Sequence, residues 1–168
     1  MVLKTGDIIL EDYHHPNKFI DWILSLQDMF DKGSFNHAMI YVGEDKVMSA
    51  DFDGIKIKSF KYNPDTHMVL RYDDIILEEQ MFETIYRYFS MVPKSYDYVG
   101  LIQASICTIF NYFTGYKLKI FKQNLKVFCS ELVYQVYLMY GIDLGDIVTP
   151  NDFLRCDELY EVHNINSF

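Results

Sequence analysis

The apolar positions of this chain change period part-way along. Asp7 to Leu10 and His37 to Val42 are short runs rich in isoleucine, valine and other apolar residues, the pattern of strands buried in a sheet. Gly43-Glu44-Asp45-Lys46 separates the second run from Val47-Met48-Ser49-Ala50 and predicts a hairpin loop. Gly54 punctuates the next run, Ile55-Lys56-Ile57-Lys58, whose strict alternation predicts a half-exposed strand. Met68 to Tyr72 follows the Asn63-Pro64-Asp65 turn and supplies a further strand. Together these runs predict an antiparallel meander.

Elsewhere the period lengthens to that of a helix. Between Pro16, suited to a first helical turn, and Met29, the residues Phe19, Ile20, Ile23, Leu24 and Leu26 recur at helical spacing. A second helix is predicted over Glu78 to Met91: acids open it at the positive end of the dipole, Met81, Phe82, Ile85, Tyr88 and Phe89 share a side, and Pro93 stops it. A third starts near Asp97 and runs to about Phe113, with Gly115 beyond. Its apolar stretch is interrupted by Gln103, Ser105, Thr108 and Asn111 and falls short of the roughly 20 residues a bilayer span needs, so it reads as a buried helix. The fourth, Phe128 to Tyr140 closed by Gly141, puts Cys129, Leu132, Val133, Val136 and Tyr140 on one face. The expected class is α+β, a small antiparallel sheet packed against helices.

Composition narrows the function classes. The 168 residues are 50% hydrophobic, enough for one core, and no linker, repeat or low-complexity segment divides them, so residues 1–168 read as a single domain. Fifteen basic against 24 acidic residues leave a net charge of −9, which repels a phosphate backbone and argues against nucleic acid as a partner. Aromatics at 17% supply large rings for a core and are compatible with an apolar groove. Three cysteines, Cys107, Cys129 and Cys156, lack the pairing or spacing of a disulfide framework or zinc site and imply free thiols in a reducing compartment. Ile8 to Leu10 is too short for a secretory apolar region, so a cytoplasmic location is expected. No HExxH or DxDxDG spacing occurs, and neither a metal nor a cofactor is expected.

Two residues carry candidate chemistry. Cys129 falls in the first turn of the fourth helix, where unpaired N–H groups and the helix dipole favour a thiolate, and its own N–H can face an oxyanion. The competing reading is a cysteine packed in the core, as Cys107 and Cys156 are read. His37 opens a strand and has the competing reading of a satisfied, partly buried imidazole. Brought together, the two would supply a nucleophile with a base that becomes the acid for the leaving group. Tyr13, His14 and Tyr96 are candidate substrate contacts, with His15 and Tyr98 beside them; exposed loop and packing roles compete. Glu131 points to another helix face and interacts with the dipole.

The ordered set Thr5-Gly6-Asp7-Ile8-Ile9-Leu10, Asn36-His37-Ala38-Met39-Ile40-Tyr41-Val42-Gly43, Val47-Met48-Ser49-Ala50, Gly54-Ile55-Lys56-Ile57, Tyr96-Asp97-Tyr98, Phe128-Cys129-Ser130-Glu131-Leu132-Val133 and Thr149-Pro150-Asn151-Asp152-Phe153-Leu154 resembles the circularly permuted branch of the NlpC/P60 papain-like cysteine hydrolases, which includes YiiX/YebB-like and poxvirus proteins. The match runs from Gly6 to Leu154 and is weakest between about Tyr72 and Pro93. The resemblance implies a permuted papain-like fold in which the histidine strand precedes the cysteine helix, with Cys129 as nucleophile and His37 as general base. The family usually places a glutamate or histidine on the strand after the hairpin to orient the imidazole. The matching position here is Ser49, whose hydroxyl supplies no charge, and Asp51, on the same face of the strand, is its rival.

The leading expectation is a thiol hydrolase acting on an amide or isopeptide bond of a small peptide related to cell-wall fragments, the substrate class coming from the resemblance alone. The alternatives are a lipid-directed acyltransferase or (thio)esterase of the lecithin–retinol acyltransferase type, and a scaffold with weakened catalysis, for which Ser49 is the main argument.

Overall fold

The computed structural model describes residues 2–12, 35–51, 54–92, 128–147 and 149–163. The helices predicted over 16–29 and 97–113, together with Tyr13, His14, Tyr96 and Cys107, lie outside them. Six strands form one antiparallel sheet: β1 (Ile8–Glu11), β2 (His37–Gly43), β3 (Lys46–Asp51), β4 (Gly54–Ser59), β5 (His67–Tyr72) and β6 (Leu159–Glu161). Their order is β4-β3-β2-β1-β5-β6. Only β2 to β4 form a meander. β1 enters the middle and separates β2 from β5, because its residues are apolar on both faces and are stable only with a neighbour on each side.

The alternation of side chains sorts the strands onto two cores. Ile8, Leu10, Ala38, Ile40, Met48 and Ala50 face the helices, and Ile9, Met39, Tyr41, Val47 and Val69 form a second cluster on the opposite face. On the first face lie α1 (Glu78–Met91) and α2 (Cys129–Tyr140). Of the predicted face of α1, Met81 and Ile85 are buried, Tyr88 and Phe89 half-buried, and Phe82 is exposed and packed at a tilt against Tyr86 instead. α2 buries Leu132, Val133 and Val136, each worth roughly 1.5–3 kcal/mol. Tyr137 rather than Tyr140 completes its buried face. The Tyr137 hydroxyl donates to the Gly6 carbonyl at 2.7 Å, and this ties the end of α2 to the start of β1.

Geometry requires glycine at Gly6 and at Gly141, among other positions. Gly6 has φ +100° and a Cβ there would stand 3.0 Å from Met81 Cγ. Gly141 ends α2 in the left-handed region at φ +105°. The predicted hairpin loop is a turn on Glu44 and Asp45, at φ 51° and 52°. A buried pair, Arg71 Nε to Asp7 Oδ1 at 2.7 Å with a second bond to Oδ2 at 2.8 Å, clamps β5 to the entry of β1. Beyond α2 a 3-10 helix, Pro150–Arg155, is opened by a capping box of Thr149 and Asp152.

Candidate active site

His37 is the first residue of β2 and Cys129 the first of α2. Phe128 is extended, with φ −102° and ψ 172°, so the chain turns abruptly into the helix and Cys129 stands at the positive end of its dipole. The thiol and the imidazole are hydrogen-bonded to each other, and the backbone N–H groups of Ala38 and Ser130 also serve the sulfur. Burial pushes the thiol pKa up. The hydrogen bond and charge of His37, with the two backbone donors, outweigh that and hold it below its ordinary value.

On the far side of the ring, His37 Nε2 lies 2.8 Å from Ser49 Oγ. Ser49 is fully buried and has one proton, which it donates to Asp51 Oδ1 at 2.6 Å. Its oxygen therefore accepts from Nε2–H. This fixes the ring with its proton on Nε2 and turns Nδ1 toward the sulfur. Asp51 Oδ1 is also 3.4 Å from Nε2, an ion-pair distance. Lys58 Nζ donates to both Asp51 oxygens at 2.9 Å and holds the carboxylate in place.

The electrostatics follow from these contacts. Burial raises the Asp51 pKa, but the hydrogen bonds of His37, Ser49 and Lys58 hold the carboxyl far below the usual carboxylate range. Burial lowers the His37 pKa, but Asp51 on one side and Cys129 on the other raise it to about 9. A run of alternating donors and acceptors thus leads from Lys58 through Asp51, Ser49 and His37 to Cys129. Cys129 is 3% exposed and His37 9%, so the pair lies below the surface with the Asp51 end wetter.

Ser49 and Asp51, rivals for the role of orienting His37, stand in series. Lys58 was not singled out in the sequence, although the strict alternation of Ile55 to Lys58 gave it a face. Nor was Asn151: its amide donates to the Phe35 carbonyl at 2.9 Å and accepts from the Phe35 N–H at 3.2 Å, two residues before His37. Cys156 stands apart in contact with Glu158, and burial with that carboxylate pushes its thiol up to about 11. Glu131 lies in the first turn of α2, as expected.

No family model and no curated protein matches this chain. Among solved structures it is similar to the crystal structure of metalloprotein YiiX from Escherichia coli O157:H7, with a TM-score of 0.59 and 13% identity over 96% of this chain and 97% of that one. The fold is YiiX-like. At this identity the likeness is one of fold. The YiiX-like sheet and helices carry the cysteine helix after the histidine strand, in the order the sequence predicts.

Among the described residues no group of three or more His, Cys, Asp and Glu side chains is arranged to hold a metal ion. Ser49 occupies Nε2 of His37, and Lys58 occupies both oxygens of Asp51. The described residues do not fit a metal. No helix among them is long and apolar enough to cross a membrane.

Proposed function

We propose that this protein is a papain-like thiol hydrolase in which Cys129 is the nucleophile, His37 the base and then the acid, and Ser49 and Asp51 the groups that hold His37. The observation that carries the reading is the single donor direction from Ser49 to Asp51, which leaves Nδ1 of His37 for the sulfur.

Chemistry follows from that arrangement. The Cys129 proton resides on Nδ1, giving a thiolate beside an imidazolium. The thiolate attacks a carbonyl carbon and the carbon–oxygen π pair moves to oxygen. This oxyanion is met by the Cys129 N–H, one of the first-turn donors that have no partner within the helix. Collapse of the intermediate breaks the carbon–nitrogen bond as the imidazolium gives its proton to the departing amine, leaving a thioester. Neutral His37 then takes a proton from water, hydroxide adds to the thioester, and the thiolate leaves with the acid product released. The substrate proposed is an amide or isopeptide bond in a small peptide of the cell-wall-fragment type, as the resemblance to the permuted NlpC/P60 hydrolases implies. The scaffold alternative rested on the missing charge at Ser49; Asp51 supplies that charge one hydrogen bond away.

Alkylation by iodoacetamide tests both reactivity and access to the buried sulfur. Cys129 is expected to react near pH 6 at least tenfold faster than Cys156, and His37→Ala to abolish the difference. Equal rates for the two thiols in the wild-type protein would overturn the proposal. Incubation with muropeptide-like amides is expected to leave an acyl mass on the peptide containing Cys129, and a fatty-acyl adduct from phospholipid alone would transfer the reading to a lipid substrate.

A further inference from the structure

The sheet register carries the site further than the relay. Glu11 is the direct cross-strand partner of His37 on one side and of His67 on the other. Extending the β2–β3 register from Met39 and Ser49 by two residues puts Asp51 opposite His37. Four titratable side chains, Asp51, His37, Glu11 and His67, therefore stand in one row on one face across β3, β2, β1 and β5. The Asn36 N–H donates to the Glu11 carbonyl at 3.2 Å and pins the backbone beside the histidine.

The far end of the row settles what Glu11 has to offer. The backbone N–H of Asn63 donates to His67 Nδ1 at 2.9 Å, so that nitrogen carries no proton. The proton of the ring is on Nε2, which lies 3.2 Å from Glu11 Oε1 and donates to it. The imidazole is packed against Phe60 at 5.0 Å and Tyr62 at 6.1 Å between ring centroids, which fixes its plane. His67 is thus a donor, through Nε2–H, that orients the Glu11 carboxylate. The charged and titratable groups facing Glu11 are His37 from β2, His67 from β5 and Lys58 from β4. Those facing His37 are Asp51, Cys129 and, across the strand, Glu11.

We infer that Glu11, oriented by His67, is a positioning residue that stabilises the His37 imidazolium from the side opposite Asp51. The inference rests on the thiolate–imidazolium reading above and adds a second carboxylate to it. Burial pushes the Glu11 pKa up, yet the hydrogen bond from His67 and the charge of His37 bring it below its ordinary value, consistent with a carboxylate kept ionised beside the ring.

Histidine NMR titration of the full chain carrying Cys129→Ser isolates the effect from the thiol. Adding Glu11→Gln keeps an acceptor for His67 and removes the charge, and the His37 pKa is expected to fall by about one pH unit. His67→Leu releases the carboxylate from its tether and is expected to lower the His37 pKa by a smaller amount; it carries the test if Glu11→Gln fails to fold. A residue that only braces the strands would leave the His37 titration unmoved in a folded variant. An unchanged His37 pKa in the folded variants, with fast alkylation of wild-type Cys129, overturns this inference and leaves the thiol reading standing. Slow wild-type alkylation overturns the thiol reading itself.

Discussion

Ser49 and Asp51 differ in what each can do for an imidazole. The serine hydroxyl has one proton and passes it to Asp51, so its oxygen is left as an acceptor for Nε2–H. Asp51→Asn reverses that direction: the new amide donates to Ser49, the hydroxyl turns its proton to Nε2, and His37 takes the tautomer that cannot receive the thiol proton. The expected result is a loss of roughly a hundredfold in the alkylation rate of Cys129 near pH 6. Ser49→Ala removes the relay but leaves Asp51 3.4 Å from Nε2, so its loss is expected to be smaller, about tenfold. Equal rates for wild type and Asp51→Asn would show that the carboxylate has no part in setting the tautomer. Both residues were legible as candidates because positions two apart share a strand face. That they act in series was not, since hydroxyl direction depends on which acceptor lies nearest in three dimensions.

Elements with many repeats of their period were the most legible. Leu132, Val133 and Val136 declare the buried face of α2 at helical spacing, and Gly141 marks its end. Strand β6 is three residues long and the 3-10 helix six, too short for either period to register, and β6 exists only because β5 offers it an edge. The 3-10 helix nevertheless reaches the site through Asn151. Almost fully buried, Asn151 answers both backbone groups of Phe35 and so sets where β2 begins and where His37 stands. Asn151→Leu leaves a buried N–H and a carbonyl without those partners, at a cost of roughly 2–4 kcal/mol. Urea denaturation is expected to show that loss, with Cys129 alkylation slowed in the protein that remains folded. A midpoint within error of wild type would remove Asn151 from the support of β2.

At the scale of the molecule, the sheet brings together groups 92 positions apart in the chain, His37 and Cys129, and makes their titration a property of the fold. The family resemblance gave the order of histidine strand and cysteine helix; the insertion of β1 between β2 and β5 had no local signal, because strand order is decided by pairing between distant segments. The two shifts act on stability with opposite sign. The His37 pKa rises from 6.5 to about 9, so its contribution is complete below 6.5 and is lost as pH climbs through 9. The Cys129 pKa is lowered from 9.0, so its contribution is complete above 9 and is lost as pH falls toward the folded value. Where the pH lies above 6.5 and above the lowered Cys129 value but below about 9, the folded pair, thiolate with imidazolium, binds the same number of protons as the unfolded pair, thiol with neutral imidazole. The site's contribution to stability is therefore expected to be flat across that window in the wild-type protein. Cys129→Ala removes one side of the balance and leaves Asp51 and Glu11 to hold the imidazolium. Its stability relative to wild type is expected to decline as pH rises through the lower part of the window, with a slope of up to about 1.4 kcal/mol per pH unit. Urea midpoints of the two proteins at pH 6, 7, 8 and 9 measure the difference directly, and parallel curves would mean that the sulfur and the imidazole do not share a proton in the folded state.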